Sequence, residues 1–276
     1  MLGKLLKYEV KAAGKVMPVL YLGIGLAYLL GKLAEALHVG QMKTGLAVVC
    51  LCAGIAAVVL ALILAVLRYA KGLFGSEGYL AQTLPVGKGT LLASKMMAGY
   101  LLILLGIAGL LLGLAGMLDL FGAGNIWDLL ASIMGDALLP LLILLLAIGL
   151  VQMFSTLSTV YFAVTLANTK PFLSNNVLFG VVFYLAGSTV VGLLELVAML
   201  LLPVGIRLSE EGGLTLVFES MLRNLIRHPE MWGTNQDLAV LEHVTLGLGS
   251  AVADLAVGIC LLFLIRWLLT RKISVK

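Results

Sequence analysis

The sequence predicts an all-α polytopic membrane protein, a single transmembrane domain over residues 1–276 with six helical spans and both termini in the cytoplasm. Three observations carry that prediction. The composition is 62% hydrophobic and 12% charged, with a mean hydropathy of +1.13, whereas soluble domains are roughly 45–50% apolar and about 25% charged. The apolar runs reach about 20 residues or more, enough at about 1.5 Å per residue to cross about 30 Å of hydrocarbon, and too long for the ~10-residue alternating strands of a barrel. Thirteen of the eighteen basic residues fall at the two termini, in and beside the loop after the second span, and at Lys170. The other five are Lys32, Lys43, Arg207, Arg223 and Arg227. The positive-inside rule assigns the larger group to the cytosol.

Residues 1–15 read as an amphipathic interfacial helix. At about 100° per residue Lys4, Lys7, Lys11 and Lys15 share one wedge, with Leu2, Leu5, Leu6, Ala12 and Ala13 on the rest. Glu9 falls on the apolar side, which suits a charge paired with a neighbouring segment. The apolar run that follows has no small-residue cleavage site, so it reads as a retained span and not as a signal peptide.

The first span covers about 16–37, opened by Pro18 where the ring is tolerated. The second, about 44–67, has Gly54, Ala57, Ala61 and Ala65 at three- and four-residue spacing, and the third, about 91–118, has Gly106, Gly109, Gly113 and Gly116. Such small-residue stripes let two helices approach closely. Between these spans Arg68 to Lys88 forms a polar, glycine-punctuated cytosolic stretch, expected to make one or two short helices along the inner surface. The next link carries Asp119, Asp128 and Asp136 with Trp127 and no Lys or Arg, as an outer loop does.

The fourth span, about 138–166, becomes polar along Gln152, Ser155, Thr156, Ser158 and Thr159, read as interhelical hydrogen-bonding positions. The fifth, about 177–204, contains Ser188, Thr189 and Glu195; the sixth, about 244–269, contains Ser250 and Asp254. Between them Leu214, Val217, Met221 and Leu225 recur at helical spacing. They predict an amphipathic helix in the outer leaflet with Glu219 and Arg223 as an i,i+4 pair.

Catalytic constellations are absent. His38, His228 and His243 are scattered, and no zinc-site or metalloprotease spacing occurs. Gly87-Lys88-Gly89-Thr90 fails as a phosphate loop, because Gln82 stands where a glycine is required and Gly89 where Ser or Thr is. Cys50, Cys52 and Cys260 lie in apolar runs and read as packing residues. No basic-aromatic surface suggests nucleic acid. The chain is therefore expected to be no enzyme and to hold no metal or cofactor of its own.

Two acids stand out, because a charge at membrane depth is costly and marks a functional site by default. Glu195 and Asp254 each lie about nine or ten residues into their spans, about 15 Å below the outer surface. With Ser188, Thr189 and Gln152 they are candidates for a substrate path or a proton or ion relay. The alternative is that each acid is neutral, or paired with Ser188, Thr189 or Ser250, and serves to hold the bundle together.

The pattern Arg68…Lys71-Gly-Leu-Phe…Glu77-Gly-Tyr-Leu…Thr83-Leu-Pro-Val…Leu91-Leu…Ser94-Lys95 resembles the cytosolic loop of bacterial ABC-type exporter permeases of the type-2 class, especially those of Gram-positive bacteria. The opening Leu5-Leu6-Lys7-Tyr8-Glu9-Val10-Lys11 and the ending Arg266-Trp-Leu-Leu-Thr-Arg-Lys-Ile agree with it. The resemblance implies that the loop after the second span is a coupling helix docked on a separate cytosolic ABC ATPase, which binds the ATP and Mg. Docking contacts would be Lys71, Phe74, Glu77, Gly78 and Tyr79, with Glu9 a partner of that region. It further implies pairing with a second permease copy or a paralogous permease, and a lidding re-entrant element at about 214–227. The location would be the bacterial cytoplasmic membrane. No nucleotide-binding domain is fused, so the ATPase is expected on another polypeptide.

The expected cargo is amphipathic, peptide or lipid-like, such as an antimicrobial peptide. Two other readings compete: a stand-alone secondary transporter using Glu195 and Asp254, and a membrane sensor or scaffold that moves nothing. The first would show inverted repeats, and no symmetry relates residues 1–130 to 131–276.

Overall fold

The computed structural model describes residues 3, 17–75, 87–122, 138–208, 214–227 and 245–271. Among the described residues six helices are long and apolar enough to cross a membrane, which makes this a multi-pass membrane protein. They are α1 (Met17–Ala36), α2 (Gly40–Phe74), α3 (Lys88–Phe121), α4 (Leu138–Ala167), α5 (Asn176–Leu201) and α7 (Gly249–Arg271). Between α5 and α7 lie β1 (Gly205–Leu208), β2 (Leu214–Val217), the short α6 (Met221–Arg227) and β3 (Thr245–Gly247). Apart from Gly3, the interfacial helix expected over residues 1–15, with Glu9, lies outside the described residues. So do Glu77, Gly78 and Tyr79 of the expected coupling helix.

The chain forms two units. The first joins α1, α2 and α3 with residues 168–173 and the chain from Arg266 onward; the second holds α4, α5, the strands, α6 and α7 as far as Ile265.

In the first unit the two small-residue stripes meet. A Cβ on Gly106 would stand 2.7 Å from Ala61 Cβ, one on Gly113 2.5 Å from the Cys50 carbonyl oxygen, and one on Gly54 3.1 Å from Leu110 Cα. Backbones this close gain dispersion and exclude any larger residue, which is how helices associate where lipid removes the hydrophobic drive. Cys50 is fully buried with Ala27, Ala47 and Leu120, a packing cysteine as expected; Cys52 and Cys260 are exposed, so packing does not explain them.

At one end of this unit, α1 turns into α2 through His38, which takes φ 57°. Its N–H donates to Glu35 O at 3.1 Å and that of Val39 to Ala34 O at 3.0 Å, closing the end of α1 as a left-handed cap does. Lys32 bridges Asp119 at 2.7 Å and Glu35 at 3.2 Å, Lys43 reaches Glu35 at 2.7 Å, and Tyr28 donates to Asp119 at 2.9 Å.

The other end corrects the sequence reading. α2 continues past the expected stop at Leu67 to Phe74, and α3 starts at Lys88, not Leu91. Lys71 and Phe74, expected in a loop, therefore belong to the last turn of a span helix. No helix breaker stands between Arg68 and Gly75 except Gly72. A lone helical glycine costs about 1 kcal/mol, which the burial of Tyr69 and Leu73 on either side offsets.

The second unit carries another correction. The helix expected over 214–227 is split: Leu214-Thr-Leu-Val is a strand, and helix begins only at Met221. The alternation of these branched residues suits a pleated surface, and β1 supplies the partner. β1 pairs antiparallel with β2 (Ile206 opposite Leu216) and with β3 (Ile206 opposite Leu246). Long-range pairing overrides the helical spacing. Ser220 Oγ accepts from Arg223 N at 3.3 Å as the cap of α6, and Glu219 accepts from Arg227 at 2.8 Å. Glu219 precedes the helix, so helical i,i+4 spacing does not govern its pairing. β3 and the start of α7 cross α5 tightly, since a Cβ on Gly247 would lie 2.6 Å from Met199 O.

Candidate functional site

Two features qualify. The first is the stalk made by the last two turns of α2 and the first two of α3. Tyr69, Leu73, Leu91 and Leu92 are buried there, so the stalk is packed. The Tyr69 and Phe74 rings meet edge to face with centroids 6.1 Å apart. The Lys95 side chain is buried and lies across Gly72, occupying the space a Cβ would need. Lys88 Nζ donates to the carbonyl oxygen of Leu269 at 2.6 Å, and the Arg266 guanidinium passes within 3.7 Å of the Cβ position of Gly89. Of the expected docking residues within the described chain, Lys71 is exposed on this stalk and Phe74 is half-buried.

The second feature is a cavity of ≈ 160 Å³ in the second unit. From α4 come Gln152, Ser155, Thr156 and Thr159; from α5 come Tyr184, Ser188, Val191, Gly192 and Glu195. Gln152 Nε2 donates to Glu195 Oε1 at a long 3.4 Å. The Glu195 carboxyl has the carboxyl of Asp254 on α7 as a neighbour. Asp254 is 1% exposed, and neither of its oxygens receives a hydrogen bond from a donor among the described residues. A carboxyl facing a carboxyl offers a donor only when one of them holds a proton. By helix rise Glu195 lies about 9 Å from the end of α5 and Asp254 about 8 Å from the start of α7, shallower than the loop-to-loop spans implied, because both helices stop short.

Most of the hydroxyls turn inward on their own helices. Thr156 donates to Gln152 O at 2.9 Å, Ser158 to Phe154 O at 2.8 Å and Thr159 to Ser155 O at 2.9 Å, so the interhelical bonds expected of them are replaced by bonds to the preceding turn. Ser188 and Thr189 both donate to Leu185 O, at 3.0 and 2.8 Å. The structure thus brings Gln152, Ser188, Glu195 and Asp254 together, and leaves Thr189 exposed away from the cavity. Sequence reasoning missed Tyr184. Its signal was present, since 184, 188, 191 and 195 recur at helical spacing and face the 152, 155, 156, 159 stripe. Among the described residues no group of three or more His, Cys, Asp or Glu could hold a metal ion.

Comparison with protein-family models, curated proteins and solved structures finds no match to this chain.

Proposed function

We propose that the chain is the membrane-spanning permease subunit of an ATP-driven exporter of the ABC type-2 class, moving an amphipathic, peptide or lipid-like cargo. The stalk supports this reading most. Helices of 35 and 34 residues are about 50 Å long, against about 30 Å of hydrocarbon, and their apolar stretches leave the excess at one shared end. That end carries Arg68, Lys71, Lys88 and Lys95 beside the loop whose residues resemble a coupling helix.

A packed hairpin moves as one piece. A push at its tip becomes a tilt of the glycine-packed spans, the kind of rigid-body step that coupling to a separate motor requires. The ATPase that binds ATP and Mg is another polypeptide, and a second permease, identical or paralogous, completes the path. In this reading the stalk and both termini face the cytoplasm of a bacterial cell.

Sidedness tests it. Gly78→Cys on a chain with Cys50, Cys52 and Cys260 replaced by alanine reacts with an impermeant maleimide in inverted vesicles and not in intact cells. Labelling from outside the cell sinks the reading.

A second reading draws on a different observation, the meeting of Glu195 and Asp254 beside a polar cavity. A stand-alone secondary transporter would use them as proton or ion carriers. It predicts cargo movement by the lone chain on an ion gradient.

A further inference from the structure

The cavity on α4 and α5 is built mainly of acceptors. Thr156, Thr159 and Ser188 have each given their proton to a backbone carbonyl, so each presents only lone pairs to the space. Glu195 adds a carboxyl on the wall, and its neighbour Asp254 is buried without a hydrogen-bond donor among the described residues. On the donor side stand the Gln152 amide, already directed at Glu195, and the hydroxyls of Ser155 and Tyr184.

Ser155 is an independent sign. It is 1% exposed, lines the same space, and its Oγ has no hydrogen-bond partner among the described residues. Buried hydroxyls are nearly always satisfied, so this one points to a polar ligand.

Two facing carboxylates in a medium poor in water repel one another, and a positive charge beside them offsets that repulsion. We propose that this cavity binds a primary ammonium group carried on a short apolar stem, with Glu195 and Asp254 as its counter-charge. An ammonium brings three N–H donors, which the carboxyl of Glu195 and the hydroxyl oxygens of Ser155, Thr156, Thr159 and Ser188 can accept. A hard inorganic cation wants a closed cage of six or so oxygens at about 2.0–2.6 Å, whereas these oxygens border a space several times the ~30 Å³ of one liquid water. Val191, Gly192 and the Tyr184 ring give the stem apolar surface. The binding site stands apart from the exporter reading; that its ligand is a cargo, an amine-bearing amphiphile, rests on that reading.

Binding is measured on the purified full chain in nanodiscs, without any ATPase, so failure here and failure of the docking assignment are separate results. The probes are n-propylammonium, tetramethylammonium, sodium and potassium chlorides at equal ionic strength, read by thermal melting and calorimetry. The expected result is a saturable upward shift with n-propylammonium alone, since tetramethylammonium has the charge without the N–H donors. Glu195→Gln should weaken that binding at least tenfold, and Ser155→Ala several-fold. Equal shifts with sodium or potassium, no saturable shift with any probe, or undiminished binding in Glu195→Gln overturns the proposal. Should Glu195→Gln not fold, the comparison of the four cations on the unaltered chain decides.

Discussion

Lys88 Nζ donates to the carbonyl oxygen of Leu269 at 2.6 Å, tying the first residue of α3 to the last turn of α7. The last carbonyls of a helix have no partner within it, and a cation there meets the negative end of the dipole. Lys88→Met should therefore destabilise this end by about 1 kcal/mol, while Lys88→Arg should not. Amide exchange in the last turn of α7 checks it, and unchanged exchange in Lys88→Met would contradict it.

Gly113 has no room for a methyl group, because the carbonyl oxygen of Cys50 and the backbone of Gly54 stand where it would go. Overpacking of backbone against backbone costs about 1–3 kcal/mol. Gly113→Ala is expected to lower the melting temperature in detergent. Gly149→Ala, at a position with nothing within 4 Å, is expected to leave it unchanged or raise it slightly.

The Lys32–Asp119 pair joins α1 to α3 at 2.7 Å with both side chains more than a third exposed. Exposed pairs contribute about 0–1 kcal/mol. Asp119→Asn and Lys32→Met should each cost less than about 1 kcal/mol, and the double variant should cost less than their sum, because the Lys32–Asp119 interaction is lost in each single variant and only once in the double. Strict additivity of the two losses would show that the pair is uncoupled.

The spans were legible because about 20 apolar residues have one solution in lipid. So were the packing faces of α2 and α3, marked by Ala57 and Ala61 and by Gly106 and Gly113 at helical spacing, while their meeting each other is shown by the fold. Less was readable where tertiary partners decide. Leu214 to Val217 fits either period, and β1, not local preference, makes it a strand. Lys71 and Phe74 read as loop because Gly72 looks like a breaker, while Tyr69 and Leu73 lock the turn from both sides. At the cavity, the acids and Gln152 stood out as charges and amides in oil. Ser155 was legible only as one of several polar positions, because a serine in a span normally donates to its own helix and only the fold reveals one that does not.

The central claim is that the stalk and its loop are held by a nucleotide-hydrolysing partner. Affinity isolation of the tagged chain from native membranes, followed by assay of bound ATP hydrolysis, tests it most directly. The prediction is a co-isolated ATPase polypeptide that Glu77→Arg releases while the chain itself still folds and inserts. An unaltered yield of ATPase activity from Glu77→Arg, or a purified chain that moves cargo on an ion gradient with no partner bound, would contradict it.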